Sequence, residues 1–149
     1  MKQIGQIEIS ETEVFRFNEI EKYFSEKNHI IEVSKNGKID FNIVSEHIDK
    51  ANLKPNIYGI LIRNSTKNSE WNLKYIGQRK SKEIKSRLKQ HLIKHNEKTG
   101  AQLNNIENEM KNGSEIGVIL FAIKPDELRQ YYEQKLLNKF GGILWNKQK

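Results

Sequence analysis

A few side chains in this sequence have the types and spacing to handle protons, anions or a metal ion. Tyr58 and Tyr75 each stand beside a glycine or one residue from it, in the short apolar runs Ile57-Tyr58-Gly59-Ile60 and Tyr75-Ile76-Gly77. A phenol can orient or exchange a proton, although it titrates near ~10. Arg87 and His91 lie four residues apart, so on a helix they share one face. A guanidinium binds anions through a planar fork, and an imidazole titrates near neutrality. Glu133 precedes Leu136, Leu137 and Phe140, which places its carboxylate on a face expected to be buried. A buried charge needs a partner, and two readings stand: a pair with Arg129, four residues earlier, or a bound metal ion. Asn146 follows Gly141-Gly142-Ile143-Leu144-Trp145, where its amide can tie the chain end to strand backbone, with Trp145 as a core anchor.

The elements that must position these groups are legible from periodicity. Ile57–Arg63 and Leu73–Gln78 read as strands joined by the polar loop Asn64–Asn72. Ser81–His95 reads as a helix capped by Ser81, with Ile84, Leu88 and Leu92 recurring every four residues. At ~100° per residue, Arg87 and His91 fall beside that stripe, at the rim of the buried face. Ala101–Lys111 is a second helix, and Ile116–Ile123 is apolar enough for a buried central strand. Pro125-Asp126-Glu127 opens a last helix that ends at Gly141-Gly142. Further upstream, a helix near Asn18–Lys27 precedes a strand over His29–Val33. A tight turn at Asn36-Gly37 leads to a return strand over Lys38–Ile43, then a helix near Val44–Ala51. Residues 1–55 are read as an N-terminal α/β extension packed on a main unit of residues 56–149.

With 149 residues the chain is expected to form one domain. The absence of cysteine excludes disulfides and thiolate metal sites and fits a reducing cytoplasm. No apolar run approaches the ~20 residues of a membrane span, so no membrane partner is expected. The net charge of +7 is uneven: residues 1–55 hold 8 basic and 10 acidic side chains, residues 56–149 hold 18 and 9. Between Lys74 and Lys98, nine basic residues face only Glu83 and Glu97. That concentration suits a polyanion, whose counterions are released on binding, and equally suits a solubilising lysine surface.

In order, the groups are Tyr58, Tyr75-Ile76-Gly77, Arg87, His91, Glu133 and Asn146. This series resembles the GIY-YIG nuclease family over residues 56–149, with Asn56-Ile57-Tyr58 and Tyr75-Ile76-Gly77 as its name-giving pair. Arg87-Leu88-Lys89-Gln90-His91, Lys98–Leu103 and Glu133…Leu144-Trp145-Asn146 most resemble its restriction endonuclease branch. Two departures stand out. Asn56 replaces the first glycine, and Gln78-Arg79-Lys80 follows the second triplet where many relatives carry a lysine directly, so Arg79 or Lys80 would serve instead. The resemblance implies an α/β (α+β) fold with a small three-stranded antiparallel sheet flanked by helices.

It also implies a chemistry: hydrolysis of phosphodiesters in double-stranded DNA with one divalent ion, Mg²⁺ or Mn²⁺ in its place, held by Glu133. Arg87 would bind the scissile phosphate, Tyr58 would orient or deprotonate the attacking water, with His91 as relay or alternative base, and Tyr75 would position water or phosphate. Gly77 and Asn146 would support the site. Arg79, Lys80, Lys82, Lys85, Lys89 and Lys94 would meet DNA. One such centre cuts one strand, so a homodimer on a two-fold symmetric site is expected. Rival expectations are a repair or mobile-element nuclease of the same family, a non-catalytic DNA-binding module of the same fold, and a basic nucleic-acid-binding protein of unrelated fold.

Overall fold

A computed structural model describes residues 4–8, 13–64, 70–93 and 101–146, with the side chains of 7, 8 and 13–16 excepted. In chain order the elements are β1 (Gly5–Glu8), α1 (Glu13–Ser25), β2 (Ile31–Glu32), β3 (Ser34–Lys35), β4 (Lys38–Ile39) and α2 (Phe41–Lys50). They continue with β5 (Ile57–Arg63), β6 (Asn72–Gln78), α3 (Ser81–Leu92), α4 (Leu103–Lys111), β7 (Glu115–Lys124) and α5 (Arg129–Phe140). The chain is mixed α/β, but its main sheet is larger than the three antiparallel strands expected. Five strands form it, in the order β1-β7-β5-β6, with β2 also paired to β7. β6, β5 and β7 run antiparallel to their neighbours, whereas β1 joins β7 in parallel, Gly5 facing Phe121. Strands from the first 55 residues therefore complete the same sheet. Among the described residues, no helix is long and apolar enough to cross a membrane.

β5 is buried from Ile57 to Ile62 because it lies inside the sheet and both its faces are covered. Tyr58, Ile60 and Ile62 pack with Val44, Ile48, Ile84, Leu88, Leu92 and Ile106, which belong to α2, α3 and α4. Ile57 and Leu61 point the other way, joining Ile76, Ile119, Ile20, Phe24, Tyr132 and Leu136 beneath α1 and α5. The β-strand period of two thus sorts one strand between two helical layers. Removing a fully enclosed side chain such as Leu88 would cost roughly 2–5 kcal/mol.

Several boundaries differ from those read in the sequence, for local reasons. Phe41-Asn42-Ile43 begins α2 instead of extending a strand, because the Asp40 side chain accepts a hydrogen bond from the Asn42 amide and caps the helix. Asn36 and Gly37, with φ of 54° and 77°, form the two-residue turn between β3 and β4. Ser81 is the first helical residue of α3, and Lys80 occupies the cap position with no side-chain bond. Asp126–Leu128 is a separate 3₁₀ turn ahead of α5. Lys94, His95 and the loop centres 65–69 and 94–100 lie outside the described residues.

Candidate active site

The site is built from the register of β5 on β6. Tyr58 faces Gly77 directly across the pair, and Tyr75 lies two residues along β6, opposite Ile60. The Tyr58 ring lies over β6 itself. A Cβ placed on Gly77 would stand 2.4 Å from both Cζ and Oη of Tyr58, so only glycine leaves the ring its seat. β6 is the last strand of the sheet, yet the phenol laid over it is fully buried.

The α3 helix supplies the second layer. Arg87 and His91 are not at the rim of its buried face but within it, 6% and 0% exposed. The imidazole Nε2 lies 2.7 Å from Tyr58 Oη, and the Gln102 amide donates to its Nδ1 at 2.9 Å. The ring centroids of Tyr75 and His91 are 4.8 Å apart, those of Tyr58 and Tyr75 6.2 Å. Arg87 Nη1 donates to Gln90 Oε1 at 2.9 Å, and its buried Nε has no partner among the described residues.

Burial sets the protonation of this group. It raises the Tyr58 phenol well above its ordinary range; Tyr75 adds to the rise, while the charges of Arg87 and Arg79 oppose it. Burial, then the same two arginines, pulls His91 down to about 3, so the imidazole is neutral at physiological pH.

Glu133 does not join that cluster: it lies on α5, which packs against β6 on the opposite face of the sheet from Tyr58 and α3. The carboxylate is half-buried, and burial raises its pKa against the opposing charge of Arg79. Arg79 thus acts on Tyr58, His91 and Glu133 alike, which makes it the charge common to both layers. Glu133 forms no salt bridge among the described residues. The expected alternative partner, Arg129, is spent elsewhere: it pairs with the Asp126 carboxylate and donates to Gln78 Oε1 at 2.7 Å. No cluster of three or more His, Asp or Glu side chains occurs among the described residues. A half-buried carboxylate that makes no salt bridge among the described residues fits Mg²⁺ all the same. That ion keeps much of its water and takes its remaining oxygens from one or two carboxylates and from phosphate.

Asn146 donates to the carbonyl of Ile76 at 2.8 Å and accepts from its amide at 3.0 Å. The side chain thereby closes the free edge of β6 at Ile76, between Tyr75 and the Gly77 that faces Tyr58. The flanking cations divide. Lys80, Lys82 and Lys89 are exposed, Lys85 is paired with Asp49, and Arg79 is half-buried with Nη1 on the Gln78 carbonyl at 2.8 Å. Cavities of about 540 Å³, beside Tyr23, His29 and His47, and about 320 Å³, beside Glu32 and Glu115, lie away from the cluster.

Two groups escaped the sequence reading. Asn56, noted only as a departure from a glycine, donates to the Ile123 carbonyl and to Asp126 Oδ1, both at 2.9 Å, and accepts from the Ile123 amide. It locks the start of β5 to the end of β7 and to the turn from which α5 departs. The Gln102 main-chain amide carries no residue-type signal at all. No protein-family model, curated protein or solved structure matches this chain.

Proposed function

We propose that this protein is a divalent-metal-dependent DNA endonuclease of GIY-YIG type, acting as a homodimeric restriction endonuclease on double-stranded DNA. The observation that carries the reading is the cluster of buried Tyr58, His91 and Arg87 with half-buried Tyr75 against it. In it a guanidinium that bonds the Tyr58 phenol and the Gln90 amide keeps a free Nε and has no carboxylate partner among the described residues. A buried cation left unpaired by the protein is suited to an anion brought by a ligand. The antiparallel triplet β6-β5-β7, with Tyr58 seated on Gly77, supports the family assignment.

In this reading Arg87 binds a non-bridging oxygen of the scissile phosphate and offsets the charge that develops there. Tyr58 orients the attacking water, and Tyr75 holds the phosphate from the open side. Glu133 would hold the divalent ion, which when bound supplies charge neutralisation at the phosphate and leaving oxygen. Arg79 moderates the field between the two layers, Asn146 keeps the β6 edge closed, and exposed Lys82 and Lys89 contact backbone phosphates nearby.

Incubation of the purified chain with mixed plasmid DNA and Mg²⁺ or Mn²⁺, followed by sequencing of the ends, tests the proposal. Discrete reproducible fragments with 5′-phosphate ends are expected. Nicking confined to branched DNA would move the protein to a repair function, and binding without cleavage under every metal would refute the enzymatic reading.

A further inference from the structure

His91 is enclosed from two sides by groups whose hydrogen-bonding roles are not symmetrical. On one side stands the Gln102 amide, which has a proton and no lone pair to offer. Imidazole Nδ1, 2.9 Å away, must therefore present its lone pair. A neutral imidazole carries one proton, and with Nδ1 bare that proton resides on Nε2. On the other side Nε2 stands 2.7 Å from Tyr58 Oη, so the ring donates and the phenol oxygen accepts. The hydroxyl proton of Tyr58 is then left to point away from His91. Tyr58 is itself fully buried, with the Arg87 guanidinium as a second hydrogen-bonding neighbour of the phenol, so both neighbours are donors and the hydroxyl proton is left for another acceptor.

We propose that His91 is a fixed donor to Tyr58, locked in the Nε2–H tautomer by the main-chain amide of Gln102, and that it is not the proton acceptor of the site. Tyr58 is consequently the one group of the pair with a proton left to offer a further acceptor. His91 acts through it, as a positioning residue. This assignment separates two roles that the residue types leave interchangeable, since a histidine beside a tyrosine can equally be read as the base. The deciding atom belongs to the backbone at the start of α4, eleven residues further along the chain. The consequence for catalysis rests on the nuclease reading above; the tautomer does not.

The ring-nitrogen chemical shifts of His91, read by NMR on the full chain, test the tautomer without any substrate. A protonated Nε2 and a bare Nδ1 are expected, and a protonated Nδ1 would overturn the proposal. The contribution of the amide is isolated by a pair of variants. Gln102→Ala keeps the N–H and should keep the tautomer. Gln102→Pro deletes the N–H at a cap position whose φ of −96° lies near the range of proline, and should release the Nδ1–H form. An unchanged tautomer in Gln102→Pro would remove the amide from the argument.

Function is read with His91→Gln, whose amide nitrogen can stand in for Nε2 as a donor but cannot take a proton, against His91→Leu. With His91 as donor, His91→Gln should cleave DNA within about tenfold of the parent and well above His91→Leu. As a general base, His91 would lose on the order of 10²–10⁴-fold in both. Equal loss in the two variants overturns the donor role. If the parent cleaves no DNA, the nuclease reading falls alone and the NMR result still decides the tautomer.

Discussion

Arg63, at the end of β5, and Arg87, beside Tyr58 near the start of that strand, are both partly or wholly enclosed, and they are held in opposite ways. Arg63 donates to Glu115 at 2.8 Å and to Glu32 at 3.0 Å, and its guanidinium stacks over Trp71 at 4.5 Å. That cation is matched by two acids and an aromatic ring of the protein itself. Arg87 is more deeply buried, yet its partners are a neutral amide and the Tyr58 phenol, its Nε has none, and no carboxylate among the described residues meets it. A charge satisfied by the chain's own acids serves the fold. A charge withheld from them is held by neutral groups alone, an arrangement that packing does not require. Glu133 repeats the pattern with the opposite sign: half-buried, raised by desolvation and without a salt bridge among the described residues.

The sharpest way to break the comparison is to truncate both arginines and measure cleavage. Arg87→Ala should lower the rate on the order of 10²–10³-fold while circular dichroism and Tm stay near the parent. Arg63→Ala should leave cleavage almost unchanged. Similar activities in the two variants would show that the missing partner of Arg87 has no bearing on function.

Glu133→Gln is the next largest effect, and it separates function from stability by sign. Burial raises the folded pKa of Glu133 above its unfolded value, so at neutral pH folding must hold an ionised group against its preference. Removing that charge should raise Tm in the absence of metal, and should lower Mg²⁺-dependent cleavage on the order of 100-fold. A fall in Tm would mean that the carboxylate has a structural partner after all. Added Mg²⁺ and a short DNA duplex should stabilise the parent and not the variant, which thermal denaturation reads directly.

These expectations draw on residues that the sequence exposes unevenly. The β5 strand is visible from its β-branched run, and Tyr58 and Gly77 are conspicuous as types; their direct opposition is a matter of register, which depends on a bulge between Ile60 and Leu61. Arg87 and His91 read as rim residues because a helical wheel knows nothing of what lies above it. Here the sheet and α4 close over that rim. Asn56 and Gln102 were invisible for a different reason: their partners are main-chain groups or a side chain far away in sequence. The strands β1 and β2 are short and pair only through β7, so local pattern could not foresee the five-stranded mixed sheet.

His91 provides a third test, through acid. Its folded pKa, about 3, lies below the 6.5 of the unfolded chain. Between those values the unfolded state binds the extra proton, so stability is fully present above pH 6.5 and is lost progressively as pH falls toward 3. At pH 5 this one group should cost roughly 2 kcal/mol relative to neutrality. His91→Gln, which cannot titrate, should flatten that part of the curve, as followed by urea denaturation at several pH values. Arg63 and its acids lie at the far end of β5 and should leave the slope near pH 6 unaltered when changed. A parent curve that is already flat between pH 7 and 5 would contradict the enclosure of the imidazole.

The smallest effect concerns Arg63 itself. Its pair with Glu115 and Glu32 is partly open to solvent, with side chains 32–41% exposed, so the ions keep much of their hydration. Exposed pairs contribute about 0.2–1 kcal/mol, and a shared arginine adds the relief of repulsion between the two acids it joins. That repulsion is evident in Glu32, whose pKa is raised by burial and then by Glu115, while Arg63 above all holds Glu115 down. Arg63→Ala should therefore destabilise by about 1 kcal/mol at low salt and neutral pH, and high salt should erase much of the difference because it screens partly exposed charges. The Arg63→Ala, Glu115→Ala double-mutant cycle isolates the pair from the loss of the Trp71 contact. Salt-sensitive stability at Arg63 together with stability little changed by Arg87→Ala would mark one arginine as part of the scaffold and the other as held in reserve for a ligand.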